Sequence, residues 1–143
     1  MPLEIFIKYF DPAMPKLEKI EVGDWIDLRN KKREVLFSGK AILIPLGVAM
    51  KLPSGYEAII APRSSTFKHW GAIQTNSLGI VDESYSGDDD EWQWTAYPTK
   101  DSVIEPYSRI CQFRIQLKQP PISFIEVSSL GASRGGFGST GIT

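Results

Sequence analysis

The chain has 143 residues, 42% of them hydrophobic, and a net charge of −1, which sets the expectation of one soluble domain able to bury its own core. That charge argues against a general nucleic-acid binder, and the single cysteine, Cys111, excludes an internal disulfide and fits a reducing compartment. The start "MPLEIFIKYF" lacks the features of a secretory signal and no apolar run could span a membrane, so a cytoplasmic protein without a membrane partner is expected.

Read in chain order, the sequence is a series of short strands cut by turns. "LEIFIKY" puts Leu3, Ile5, Ile7 and Tyr9 on one face, the period of a strand. "AILIPLGVAMKL" breaks at Pro45 and Gly47, and in "LPSGYEAIIAP" the turn Pro53-Ser54-Gly55 precedes a strand ending near Ala61. In "PRSSTFKHWG", Ser64 or Ser65 caps a short helix from Thr66, and Gly71 ends it. Further strands are expected at Ala72–Thr75, Gly79–Asp82, Trp92–Tyr97, Arg109–Leu117 and Ile122–Val127, with "TNSLG" as a hairpin. With 12 glycines and 10 prolines punctuating the chain, an all-β jelly roll or distorted barrel over residues 1–130 is the natural architecture. Residues 131–143 form a glycine-rich tail.

Several residues invite a chemical reading. Asp27, between Ile26 and Leu28, is either a salt-bridged carboxylate or a functional one, because a charge among apolar neighbours needs a partner. Asp82 follows Leu78, Ile80 and Val81, which suggests the end of a mostly buried strand; there it would be a general base or a cap on the next turn. Arg63, Ser64 and Ser65 stand at a helix start, suited to phosphate as well as to plain capping. The run Asp88 to Glu91 reads as a solvated turn, and His69, the sole histidine, leaves no histidine metal cluster within one chain. In "RICQFRI", alternation sets Ile110 and Gln112 opposite Arg109, Cys111 and Phe113, so a ligand-facing Gln112 leaves Cys111 as packing. The tail "SRGGFGSTGIT" is a frayed terminus, a weak nucleic-acid contact, or an arm that closes over a phosphate-bearing ligand.

Taken in order, "DLR", "PRSS", "GIVDESYSG", "RICQF" and "RGGFGSTG" resemble the five motifs of the trimeric deoxyuridine triphosphatases (dUTPases), over about Asp24 to Thr140. "TNSLGIVDESYSGD" and "PRSSTFKHWG" resemble the variants found in phages and prophages of Gram-positive bacteria. The resemblance implies a jelly-roll homotrimer that hydrolyses dUTP to dUMP and pyrophosphate with Mg²⁺. It also implies that each site draws on all three chains. Asp82 would activate the attacking water and Asp27 would hold hydrated Mg²⁺. Arg63, Ser64, Ser65 and Gln112 would bind phosphates. Asn76 and its turn would read uracil, and Tyr85 would pack on the deoxyribose. The tail would be a mobile swapped arm, in which Phe137 stacks on the base while Arg134, Gly138, Ser139 and Thr140 meet the phosphates. Arg134 stands closer to Phe137 than the family's arginine does. Ser65 stands where the family has a glycine, and Ser84 where it has a second aspartate. Trp92 and Trp94 are rival candidates for the stacking lid. Two other functions share the fold or the family: a dCTP deaminase, and a nucleotide-binding phage regulator that engages a repressor protein.

Overall fold

In the computed structural model, which describes residues 2–136, the chain is built almost entirely from antiparallel strands. The first five are β1 (Phe6–Tyr9), β2 (Ile26–Arg29), β3 (Glu34–Leu36), β4 (Ile42–Pro45) and β5 (Val48–Lys51). β6 (Tyr56–Pro62) leads into the short helix α1 (Thr66–Trp70), followed by β7 (Ala72–Gln74) and β8 (Gly79–Val81). The last are β9 (Gln93–Pro98), β10 (Ser102–Ile104) and β11 (Arg109–Leu117). One sheet has the order β2-β11-β6-β8 and a second β4-β9-β7, with the pairs β1-β5 and β3-β10 beside them.

This is the expected jelly roll, and its local causes are plain. β9 alternates strictly, with Trp94, Ala96 and Pro98 inward and Gln93 and Tyr97 outward. Its indoles anchor a core with Leu28, Ile44, Leu46, Ile110 and Phe113, and Trp92 meets Phe113 edge to face with centroids 5.2 Å apart. Gly47 divides β4 from β5 at φ +72, where a Cβ would collide with Met14 Sδ; only glycine fits.

Four expectations are corrected. Ile122–Val127 is not a strand: residues 119–136 form no element and are exposed throughout, Phe124 by 95% and Leu130 by 97%. The segment runs on past the end of β11 and pairs with none of the described strands, so its apolar, strand-like pattern is left without a ladder. "TNSLG" is not a hairpin between paired strands, because β7 pairs with β9 and β8 with β6; the turn crosses from one sheet to the other. The segment before Asp82 is not buried, since β8 is an edge strand and leaves Leu78 and Ile80 more than half exposed. Finally, Ile110 does not share the face of Gln112. A bulge between Arg109 and Cys111 breaks the alternation, so Ile110 and Cys111 are both buried.

Candidate active site

At the Pro62 end of β6, three strands bring together residues far apart in sequence. β11 lies between β2 and β6, so Gln112 stands opposite Asp27 on one side and Ala61 on the other. The Asp27 carboxylate, one-third exposed, receives Arg63 Nε at 2.9 Å and, more loosely, Arg109 Nη1 at 3.7 Å. Asp27 is thus salt-bridged, and it sits in the cluster. Gln112 Nε2 donates to the Pro62 carbonyl at 3.1 Å.

The turn that delivers Arg63 is built by Thr66. Its hydroxyl accepts from the Arg63 N–H and donates to the Ile110 carbonyl, both at 2.9 Å. The expected serine cap is absent: Ser65 occupies the N-cap in a helical conformation with no side-chain cap bond, and Ser64 is exposed. Both hydroxyls are thus left clear of capping duty. A cavity of about 110 Å³ opens beside this cluster, lined by Lys16, Trp25, Asp27, Arg29 and Arg109. With Glu18 also at the wall, three cationic groups face two carboxylates, an excess of positive charge that suits an anion. Cys111 lies behind it, fully buried, its thiol pushed well up by burial and then by Asp27; it is packing, as expected.

The Tyr56 end of β6 carries different chemistry. Asp82 follows β8, with Oδ2 accepting the Ser84 N–H at 2.8 Å and Oδ1 meeting Lys118 Nζ at 3.1 Å. The Ser84 hydroxyl and N–H, followed by Lys118, hold its carboxyl well below the usual aspartate range. Burial, the sequence argument for a base here, is not what tunes it. Lys118 also reaches Glu83 Oε1 at 3.2 Å, and Glu83 Oε2 accepts the Gly55 N–H. An open cavity of about 550 Å³ is bordered by Leu43, Ile80, Asp82, Tyr85, Trp92 and Thr95. Tyr85 is fixed at its rim: its hydroxyl donates to the Glu91 carbonyl and its N–H to the Asp82 carbonyl. Asn76 lies on the crossing turn, where its Oδ1 accepts from Thr95 Oγ1 at 3.3 Å.

The two ends are separate places. Val81 pairs with Ala58, so Asp82 lies level with Glu57, six residues along β6 from Arg63 and roughly 20 Å away at the rise of a strand. Asp27, Arg63 and Gln112 are brought together, and the Asn76 turn lies toward the same end, since Gly79 pairs with Ile60 and Gln74 and Ser77 line a cavity with Pro62 and Arg63; Asp82 and Tyr85 stand apart. Against this geometry the dUTPase family profile matches residues 25–141.

The chain belongs to the dUTPase family. It is 52% identical over 140 residues to the SPbeta prophage-derived deoxyuridine 5'-triphosphate nucleotidohydrolase YosS of Bacillus subtilis (strain 168), covering 97% of this chain and 99% of that one. It is 34% identical over 143 residues to the deoxyuridine 5'-triphosphate nucleotidohydrolase of Streptomyces coelicolor, covering 97% and 78%. The solved dUTPase of Staphylococcus bacteriophage 80alpha with dUPNHPP superposes with a TM-score of 0.73 at 20% identity, over 97% of this chain and 99% of that one. A dUTPase of phage phi11 of S. aureus, solved with a structural Mg(II) ion, gives a TM-score of 0.75 at 13% identity over 89% and 98%. These likenesses of fold agree with the jelly roll found here.

In this dUTPase the tryptophans are not lid material, since Trp92 and Trp94 are each 1% exposed in the core. Phe137, Gly138, Ser139 and Thr140 lie outside the described residues, and Arg134 is exposed in the segment beyond β11. Sequence reasoning missed three residues that organise the site. Arg109 reaches Asp27 from the bulge, Lys118 bridges two carboxylates just past β11, and Gln74 lies buried beneath the crossing turn. Only the polar residue inside an apolar strand, Gln74, carries a signal that could have flagged it.

Proposed function

We propose that this dUTPase hydrolyses dUTP to dUMP and pyrophosphate at sites shared between copies of a homotrimer, keeping uracil out of DNA and supplying dUMP. The observation that carries the shared site is the separation of its halves. A single chain holds the anion-binding cluster and the carboxylate base about 20 Å apart on β6, too far to act on one phosphorus atom. The exposed apolar segment 119–136 also favours assembly, because such surface needs a partner.

In the proposed reaction Arg63, Ser64, Ser65 and Gln112 of one copy grip the triphosphate, with Arg109 adding charge. Asp82 of a second copy takes a proton from water as the water oxygen bonds to the α-phosphorus. The bond from that phosphorus to the β-bridging oxygen breaks, and pyrophosphate leaves with the electron pair. Ser84 and Lys118 keep Asp82 ionised at neutral pH, the state a base needs, and the same contacts lower its affinity for the proton. The turn around Asn76 reads uracil, and Tyr85 packs on the deoxyribose and excludes a 2′-hydroxyl. The tail, residues 131–143, closes the site, with Phe137 on the base and Arg134, Gly138, Ser139 and Thr140 toward the phosphates.

Mg²⁺ belongs to the same proposal. Asp27 is a partly exposed carboxylate whose Oδ2 is held only at 3.7 Å by Arg109, which suits an ion that keeps its waters and binds through one carboxylate and substrate phosphates. Bound there with dUTP, Mg²⁺ neutralises triphosphate charge. Among the described residues no helix is long and apolar enough to cross a membrane, and a cytoplasmic location is proposed with it. A regulatory protein partner is proposed because the 80alpha enzyme is described among phage dUTPases that control transfer of virulence genes. The test is pyrophosphate release from each deoxynucleotide, with and without Mg²⁺, together with light scattering. Release confined to dUTP by a species of three chain masses supports the reading, and an active monomer overturns the shared site.

A further inference from the structure

The turn Thr75–Leu78 leaves one sheet and enters the other, and one side chain beneath it touches everything that shapes it. Gln74 is 4% exposed, yet both ends of its amide are bonded. Its Nε2 donates to the Ile60 carbonyl on β6 at 3.0 Å and to the Ser77 carbonyl in the turn at 3.3 Å. Its Oε1 accepts the Trp94 indole N–H from β9 at 2.6 Å. An indole nitrogen only donates, so this contact fixes which end of the amide carries oxygen and aims both amide hydrogens at carbonyls. One side chain therefore joins both sheets and the turn.

The turn needs such a hold. Ser77 has φ +50, the left-handed region that a residue with a Cβ seldom adopts without local bonding. Gly79, just beyond, packs against Ile60, where a Cβ would come within 3.3 Å of the Ile60 Cβ and 3.5 Å of Asn76 Nδ2. Asn76 is thus presented from a backbone shape that its own residues do not favour, and the amide of Gln74 is the buried group that bonds it in place.

We infer that Gln74 is the positioning residue that sets base selectivity, holding the Asn76 turn in the shape that accepts uracil and refuses cytosine. This rests on the proposed reading that the turn faces the base. Uracil presents an acceptor at O4 where cytosine presents an N4 amino donor, so a rigid set of donors and acceptors separates the two, whereas a turn free to move adapts to both.

The experiment compares kcat/KM for dUTP and dCTP in purified trimers. Gln74→Met keeps the length of the side chain and removes all three bonds. Its dUTP/dCTP ratio falls at least about tenfold, chiefly through a higher KM for dUTP, while kcat at saturating dUTP changes by less than about threefold. A role confined to stability would lower the melting temperature and leave that ratio and KM unchanged, which overturns the inference. Trp94→Phe, which removes the indole donor orienting the amide and keeps an aromatic ring at some loss of core volume, serves where Gln74→Met does not fold. It lowers the same ratio by about threefold, and an unchanged ratio there also overturns it. Asn76→Ala separates the two levels. If it leaves the ratio untouched, the turn does not read the base; if it lowers the ratio and neither other variant does, only the role of Gln74 fails.

Discussion

At the Pro62 end of β6 two guanidinium groups surround one carboxylate, whereas at the Tyr56 end one ammonium group is shared by two carboxylates. The first arrangement has positive charge to spare and waits for an anion. The second keeps a carboxylate ionised and partly exposed, ready for a proton. In the proposed site these are the two halves of one hydrolytic centre, placed at opposite ends of one strand. The proposed homotrimer would join them by setting one copy's acidic end against another's basic end.

The strongest way to break that comparison is to disable one end at a time. Asp82→Asn and Arg63→Ala should each lower hydrolysis by about 10²–10⁴-fold as homotrimers. Unfolded together and refolded as an equal mixture, the two inactive proteins should regain about a quarter of the parental rate, the share of sites drawing Asp82 and Arg63 from intact copies under random assembly. A mixture as dead as its parts would put the whole site in a single chain.

The acidic end sharpens next through Tyr85, which the Glu91 and Asp82 carbonyls hold at the cavity rim. Tyr85→Ala should raise the ratio of UTP to dUTP hydrolysis about tenfold, because the ring is the proposed barrier to a 2′-hydroxyl. Tyr85→Phe, which loses only the tether to Glu91, should move it far less. Equal ratios in all three proteins would assign sugar discrimination elsewhere.

How much of this was legible in the sequence differs between strands and site. β11 is read off with its bounds as a nine-residue run rich in apolar residues, although a bulge breaks its alternation, and β9 declares itself by period. β2, β3 and β10 go unread because they are short, polar or charged at one or more positions, and each is a strand only by virtue of its partner. Ile122–Val127 errs the other way, with a strand's pattern and no pairing among the described strands. The order of the motifs exposes Asp27, Arg63, Asp82 and Gln112 as candidates. Their division between two ends of β6 depends on register, which no motif records. Gln74 is hidden more deeply, since nothing local says that its amide crosses from one sheet to the other.

A finer test concerns what keeps Asp82 ionised. Its folded pKa is depressed, first by the Ser84 hydroxyl and N–H and then by Lys118, so the proton is absent through the ordinary aspartate range and bound only below it. Removing a depressing contact must move the titration up toward the ordinary aspartate value of 3.8. Ser84→Ala should shift it further than Lys118→Met, since the hydroxyl is the larger cause. Carbon-13 NMR of the Asp82 carboxyl reads both shifts. A downward shift in either variant would contradict the contacts drawn at this end.

The smallest effect lies away from both ends, at Glu34 in β3, whose buried Oε1 has no hydrogen-bond partner among the described residues. Burial raises its pKa above 4.5, with Lys32 opposing only in part. Between 4.5 and the raised value the folded chain keeps a proton that the unfolded chain has lost. The native state then binds more protons, and this residue's contribution to stability falls as pH rises through that window. Glu34→Gln imitates the protonated acid, so at pH 7 it should relieve a cost of about 1 kcal/mol, or roughly 4 °C in Tm for a domain of this size. Below pH 4.5, where the parental acid is already neutral in both states, the two proteins should melt together. Thermal melts across that range decide it. A variant less stable at pH 7 would mean that Glu34 meets a cation from another copy, which would tie this distant carboxylate to the same assembly that joins the two ends of β6.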